Sequence, residues 1–150
     1  MTMAGEIEVL LVEDNPSDVE LTLRALQKRH IANRIKVARD GAEALTMLLP
    51  DSAETLGPQP KVVLLDLKLP KVNGLEVLRR LKSDDRTRNI PVVVLTSSGE
   101  GPDIAESYRL GANSYIVKPV DFEAFSRAVS EAGLYWLLLN HPPAWLPSAS

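Results

Sequence analysis

Four stretches of the chain are short, apolar and rich in β-branched residues or leucine, with no regular alternation: Ile7–Val12, Val62–Leu65, Val92–Leu95 and Tyr115–Val117. Runs of that kind read as strands covered on both faces. A fifth stretch, Arg34–Ala38, alternates and suits the edge of a sheet. Helical spacing fills the gaps. Val19, Leu23 and Leu26 share one face, as do Leu75, Leu78 and Leu81. Punctuation supports these elements. Asn15-Pro16 is a cap followed by a first-turn proline, and Asp40-Gly-Ala-Glu43 has the spacing of a capping box opening a helix over Ala42–Leu49. A short helix is expected between Asp103 and Leu110, stopped by Gly111. Asp121 caps a last helix expected to run to about Leu139. Strand and helix thus alternate five times. This predicts an α/β fold, a doubly wound parallel sheet with right-handed crossovers. Pro50–Pro60 is a long loop and residues 140–150 form a Pro-rich tail.

Composition narrows the classes. The chain has 150 residues, 45% hydrophobic and 25% charged, which is one ordinary domain with one core. Net charge is −3 with no basic stripe, so binding to nucleic acid through a charged patch is not expected. There is no cysteine, which removes thiolate zinc sites and thiol nucleophiles. The first apolar run is flanked by Glu6, Glu8, Glu13 and Asp14, the wrong charge for a signal peptide, and Leu134–Leu139 is too short to span a bilayer. A cytoplasmic protein without membrane association is the expectation.

The chemistry converges where ligands bind in such folds, outside the carboxyl ends of the strands. Strand 1 ends in Glu13-Asp14, strand 3 in Asp66, strand 4 in Thr96-Ser97-Ser98 and strand 5 in Lys118-Pro119. With strand order 2-1-3-4-5, the carboxylates of strands 1 and 3 meet at the switch point. Two carboxylates about 4 Å apart repel by ~4 kcal/mol at an effective dielectric near 20. Three therefore call for a cation, and Mg²⁺, an oxygen-seeking ion that keeps several waters, suits an open rim. Mg²⁺ and Lys118 then balance Glu13, Asp14 and Asp66, leaving a neutral site that can receive a phosphoryl group. His30 and His141 fall on no such site.

These residues, in this order, closely resemble the receiver domain of two-component response regulators. The matching segments are VLLVEDN at 9–15, VVLLDLKLPKVNGLEVL at 62–78, PVVVLTSS at 91–98 and GANSYIVKP at 111–119. The resemblance implies a flavodoxin-like fold, with residues 1–139 as the receiver and 140–150 as the tail. It implies that Asp66 is the phosphoryl acceptor. Asp14, Asp66 and the Lys68 carbonyl would ligate Mg²⁺, with Glu13 acting through water. Thr96 and Lys118 would bind the phosphoryl oxygens, Lys118-Pro119 would be cis, and Tyr115 would be the aromatic switch partner of Thr96. The protein would be a phosphoacceptor with at most self-catalysed phosphorylation and dephosphorylation, not an enzyme in the ordinary sense. Lys68 places a long cation beside the acceptor, where it either hinders the attacking water or pairs with the phosphoryl group.

A narrower resemblance, in EDNPSDVELTLRAL at 13–26, KVARDGAEAL at 36–45 and GLYWLLLNHPP at 133–143, is to single-domain regulators that serve bacterial and cyanobacterial phytochromes. It implies a phytochrome-type histidine kinase as partner. With no room for a DNA-binding module after the last helix, output by protein contact is expected. Rival readings are a flavodoxin-like mononucleotide binder, which Glu13-Asp14 would disfavour by repelling phosphate, an aspartyl phosphohydrolase, which would want a DxD pair after strand 1, and an interaction module with a dead acceptor.

The C-terminal end carries one further expectation. Residues 132–150 contain no Asp, Glu, Lys or Arg, and Leu134, Tyr135, Trp136, Leu137, Leu138 and Leu139 would surround a helix with apolar groups. A helix apolar all round must be covered on all sides. A symmetric homodimer through Leu134, Tyr135, Trp136 and Leu138 is favoured over a tail with Trp145 folded back within one chain.

Overall fold

The computed structural model describes residues 8–27, 34–52, 59–97 and 101–133. The elements follow in the order β1 (Val9–Val12), α1 (Pro16–Gln27), β2 (Ile35–Ala38), α2 (Gly41–Leu48), β3 (Val62–Asp66), α3 (Gly74–Ser83), β4 (Val92–Thr96), α4 (Gly101–Arg109), β5 (Ser114–Val117) and α5 (Phe122–Glu131). The five strands form one parallel sheet in the order β2-β1-β3-β4-β5, as expected. The direction in which successive connections progress along the sheet reverses between β1 and β3, and their parallel register sets Val12 beside Leu65, so Glu13 and Asp66 leave the sheet side by side.

Every residue of β1, β3 and β4 is buried, because each strand has a neighbour on both sides and helices over both faces. Alternate residues feed two cores. Leu11, Leu64 and Leu95 meet Leu26 of α1 and Phe125 of α5 on one face. Leu10, Val63 and Val94 meet Leu48 of α2 and Leu78 of α3 on the other. At the edge, β2 alternates as its sequence indicates. The expectation of two covered faces does not hold for β5: Ser114 and Ile116 are buried, while Tyr115 and Val117 are exposed. It is the opposite edge strand, and among the described residues helices bury only one face of it.

Helix starts follow the capping chemistry. Asn15 Oδ1 accepts from the Asp18 amide at 3.1 Å, Asp40 Oδ1 from Glu43 at 2.7 Å and Asp121 Oδ1 from Ala124 at 2.7 Å. Glu43 reaches back to the Arg39 amide and not to that of Asp40, so the capping box is only half made. The α2 helix starts at Gly41, one residue earlier than expected, and Leu49 is its C-cap. On α1 and α3, Leu23 and Leu75 are only partly buried, whereas Thr22 and Val77 join the buried face. Gly111 (φ 111°) ends the α4 segment as expected.

The last helix is shorter than its periodicity indicates. It ends at Glu131, the Ala132 amide closes on the Ala128 carbonyl, and Gly133 takes a left-handed φ of 72°. A glycine in that conformation stops a helix by turning the chain and satisfying its final carbonyls. Ile7, His30, Ser98 and the whole dimer expectation on Leu134, Tyr135, Trp136 and Leu138 lie outside the described residues.

Candidate functional site

Glu13 leaves β1 with its amide donating to the Ala38 carbonyl at 2.9 Å, and its side chain is fully buried. Its neighbour Asp14 is exposed, as alternation at a strand end requires. Asp66, the last residue of β3, is 4% exposed. Its Oδ1 accepts from the Lys68 amide at 3.1 Å, so the turn after the strand holds the carboxylate by its own backbone. The start of α3 comes very close: a Cβ at Gly74 would lie 2.2 Å from the Asp66 carbonyl oxygen. Only glycine lets the helix begin there. Thr96 ends β4, is buried, and takes the Lys118 amide on its carbonyl at 2.8 Å. The Lys118-Pro119 peptide is cis.

These supports bring the expected acids and the lysine together. One carboxylate oxygen each from Glu13, Asp14 and Asp66 lies within 4.8 Å of the others. Lys118 Nζ stands 2.7 Å from Glu13 Oε1 and 3.1 Å from Asp66 Oδ2. A third carboxylate also reaches it: Asp18 Oδ2, at 3.1 Å. Sequence reasoning missed Asp18 because it follows the strand by a loop and one helical turn. The available signal was its place in the first turn of α1, three residues beyond the Asn15 cap, on the end of the helix that faces the rim.

Electrostatics follows from burial. Desolvation pushes the Glu13 carboxyl up to about 7, with Asp66 adding to the rise and Lys118 opposing it. Burial alone would lower the Lys118 pKa, but Glu13, Asp18 and Asp66 outweigh it and hold the ammonium above the ordinary lysine range. Lys118 is therefore a fixed positive charge. The expected neutral balance changes with Asp18: the rim then carries four carboxylates, three of them facing Lys118, and with Glu13 ionised these exceed Lys118 plus one divalent cation by one charge. The three clustered carboxylates are hard oxygen donors on an open rim, which is the donor set a small divalent cation takes. Such an ion would offset most of the charge that Lys118 alone leaves over.

Tyr115 points out of the β5 edge, 38% exposed, with its ring edge-on to Tyr108 of α4 at 6.1 Å between centroids. Lys68 is exposed beside the acceptor turn. Among the described residues no helix is long and apolar enough to cross a membrane.

A family model for the response regulator receiver domain matches residues 9–130, which covers every residue of this rim. The chain belongs to the receiver domain family. Among known proteins it is 44% identical to the probable methanogenesis regulatory protein FilR2 of Methanothrix harundinacea, over 90% of this chain and 86% of that one. It is 36% identical to the response regulator Rcp1 of Synechocystis, over 86% of this chain and 88% of that one. Among solved structures it is similar to the bacteriophytochrome response regulator AtBRR, with 54% identity, a TM-score of 0.77, and 91% of this chain and 99% of that one covered. The Mn²⁺-bound form of Rcp1 also matches, at 32% identity and a TM-score of 0.68, with 95% of this chain and 99% of that one covered. The receiver reading thus prevails over the mononucleotide-binding and phosphohydrolase readings. As a receiver domain, the chain belongs to two-component signalling, in which a histidine kinase is the partner.

Proposed function

We propose that this receiver accepts a phosphoryl group on Asp66 from a phytochrome-type histidine kinase and passes the signal on by protein contact. The observation that carries the reading is the placement of Lys118 Nζ 3.1 Å from Asp66 Oδ2, beside a cluster of carboxylates fit for a divalent cation. In the reaction, Asp66 Oδ2 or Oδ1 attacks the phosphorus of a phosphohistidine. The phosphorus–nitrogen bond breaks, and the imidazole nitrogen keeps the electron pair and takes up a proton. The nucleophile needs little activation, because the phosphohistidine donor is reactive. Lys118 offsets the charge on the phosphoryl oxygens in flight. Asp14, Asp66 and the Lys68 carbonyl would hold Mg²⁺, with Glu13 beside them, and the ion would supply further charge neutralisation. The Thr96 hydroxyl turns to a phosphoryl oxygen, Tyr115 follows into the space it leaves, and the surface between α4 and β5 changes. The protein is a stoichiometric acceptor and not a turnover enzyme. It acts in the cytoplasm, as a homodimer built on Leu134, Tyr135, Trp136 and Leu138.

The phytochrome partner is supported by the 54% identity to the bacteriophytochrome response regulator AtBRR. The test is phosphotransfer from purified autophosphorylated kinases. Label should pass within the first minutes from a bacterial phytochrome kinase and far more slowly from unrelated histidine kinases. Equal rates from all of them would remove the phytochrome assignment while leaving the acceptor role in place.

A further inference from the structure

The ammonium of Lys118 has three protons, and three carboxylates face it: Glu13 at 2.7 Å, Asp18 at 3.1 Å and Asp66 at 3.1 Å. Glu13 and Asp66 belong to the cluster that can hold a divalent cation, and Asp18 does not. Asp18 is fixed elsewhere. It sits in the first turn of α1, its amide donates to the capping Asn15 Oδ1 at 3.1 Å, and its side chain is about one-third exposed. We propose that Asp18 is a positioning residue that competes with the phosphoryl group for Lys118, and so limits how tightly the site holds that group. This rests on the reading of Asp66 as acceptor.

When a phosphoryl group joins an Asp66 oxygen, the negative charge moves outward to the phosphoryl oxygens. With a cation bound, Glu13 and Asp66 would be offset from that side, and the N–H that Lys118 donates to Asp66 and its charge facing Glu13 would become available to the phosphoryl group. Among the described residues, Asp18 is outside the carboxylate cluster that could hold a cation. It keeps its share of the ammonium and draws Nζ towards α1. It is also the fourth carboxylate of the rim: with Glu13, Asp14 and Asp66 it outnumbers the +3 of Mg²⁺ and Lys118, so an incoming anion meets a site already at −1. Three carboxylates would leave that site neutral. Removing the Asp18 charge should therefore favour an anionic ligand on Asp66 and at the same time make the rim less attractive to a cation. A residue that merely stabilised the fold would weaken both.

Fluoroberyllate, a tetrahedral analogue that adds to a carboxylate oxygen as a phosphoryl group does, reads this directly. It is titrated calorimetrically into the full chain at saturating Mg²⁺, and Mg²⁺ is titrated alone in a separate series. Asp18→Asn should bind fluoroberyllate about three- to fivefold more tightly, the scale of a partly exposed ion pair, and Mg²⁺ no more tightly than the parent. Asp18→Ser should do the same, which covers the case in which one variant folds poorly. Glu20→Gln, an exposed acid on the same helix paired with Arg24, should leave both affinities unchanged. Unchanged or weaker fluoroberyllate binding in both Asp18 variants overturns the proposal. If the parent itself fails to bind fluoroberyllate, the acceptor reading of Asp66 falls, which is a different result.

Discussion

At the scale of single residues, the site is a set of carboxylates whose environments differ. Glu13 is fully buried and Asp14 exposed, although they are adjacent in sequence. The raised Glu13 pKa has a definite sign. Without a cation, the folded chain binds a proton that the unfolded chain has lost between the ordinary value of 4.5 and about 7. The contribution of this group to stability therefore falls as pH rises through that window. Mg²⁺ needs the charged form, so its affinity should rise with pH up to about 7 and level off above. Calorimetry at pH 6 and pH 8 should differ by roughly tenfold, the ratio for one group titrating near 7. Glu13→Gln should flatten the dependence; equal affinities at both pH values in the parent would refute it. A second residue-scale prediction concerns Gly74, where an added Cβ would meet the Asp66 and Leu67 backbone at 2.2 and 2.5 Å. Gly74→Ala should cost about 1–3 kcal/mol in denaturant unfolding, the range for overpacking a close contact. It should also slow phosphorylation, because the backbone that must yield carries the acceptor. A stable variant with normal phosphorylation would show that the turn is looser than described.

At the scale of elements, much of the chain was legible because capping and burial leave strong local marks. Asn15, Asp40 and Asp121 each accept a hydrogen bond from the amide three residues on, as their positions before the apolar faces indicate. Asn73 does the same for Glu76 at 2.9 Å. Asn73→Ala should lower stability by about 1 kcal/mol, and Asn73→Asp should retain it, as thermal unfolding of the three proteins would show. An Ala variant as stable as the parent would mean that α3 is held by packing alone. Two elements were read less well. The apolar sequence of β5 hid its edge position, because Tyr115 and Val117 look like core residues until the sheet order places them at an edge, exposed among the described residues. The end of α5 was overrun because hydrophobic residues continue past Gly133, and periodicity does not register that one glycine has turned left-handed.

At the scale of the molecule, topology makes the site. Residues 13, 66, 96 and 118 are far apart in sequence, and the order β2-β1-β3-β4-β5 sets them on one rim. Given the strands, that convergence could be read in advance, since it needs only the rule that ligands sit at the carboxyl ends of parallel strands. The contribution of Asp18 could not be read so easily. It comes from α1, and its approach to Lys118 depends on how that helix lies on the sheet. The same geometry gives the central claim its most direct measurement. With Mg²⁺ and acetyl phosphate, intact-mass spectrometry should show the chain gaining one phosphoryl group as the donor's phosphorus–oxygen bond breaks and acetate leaves. Hydroxylamine should remove that group, and Asp66→Asn should not acquire it. An Asp66→Asn protein phosphorylated to the same extent as the parent would contradict the account.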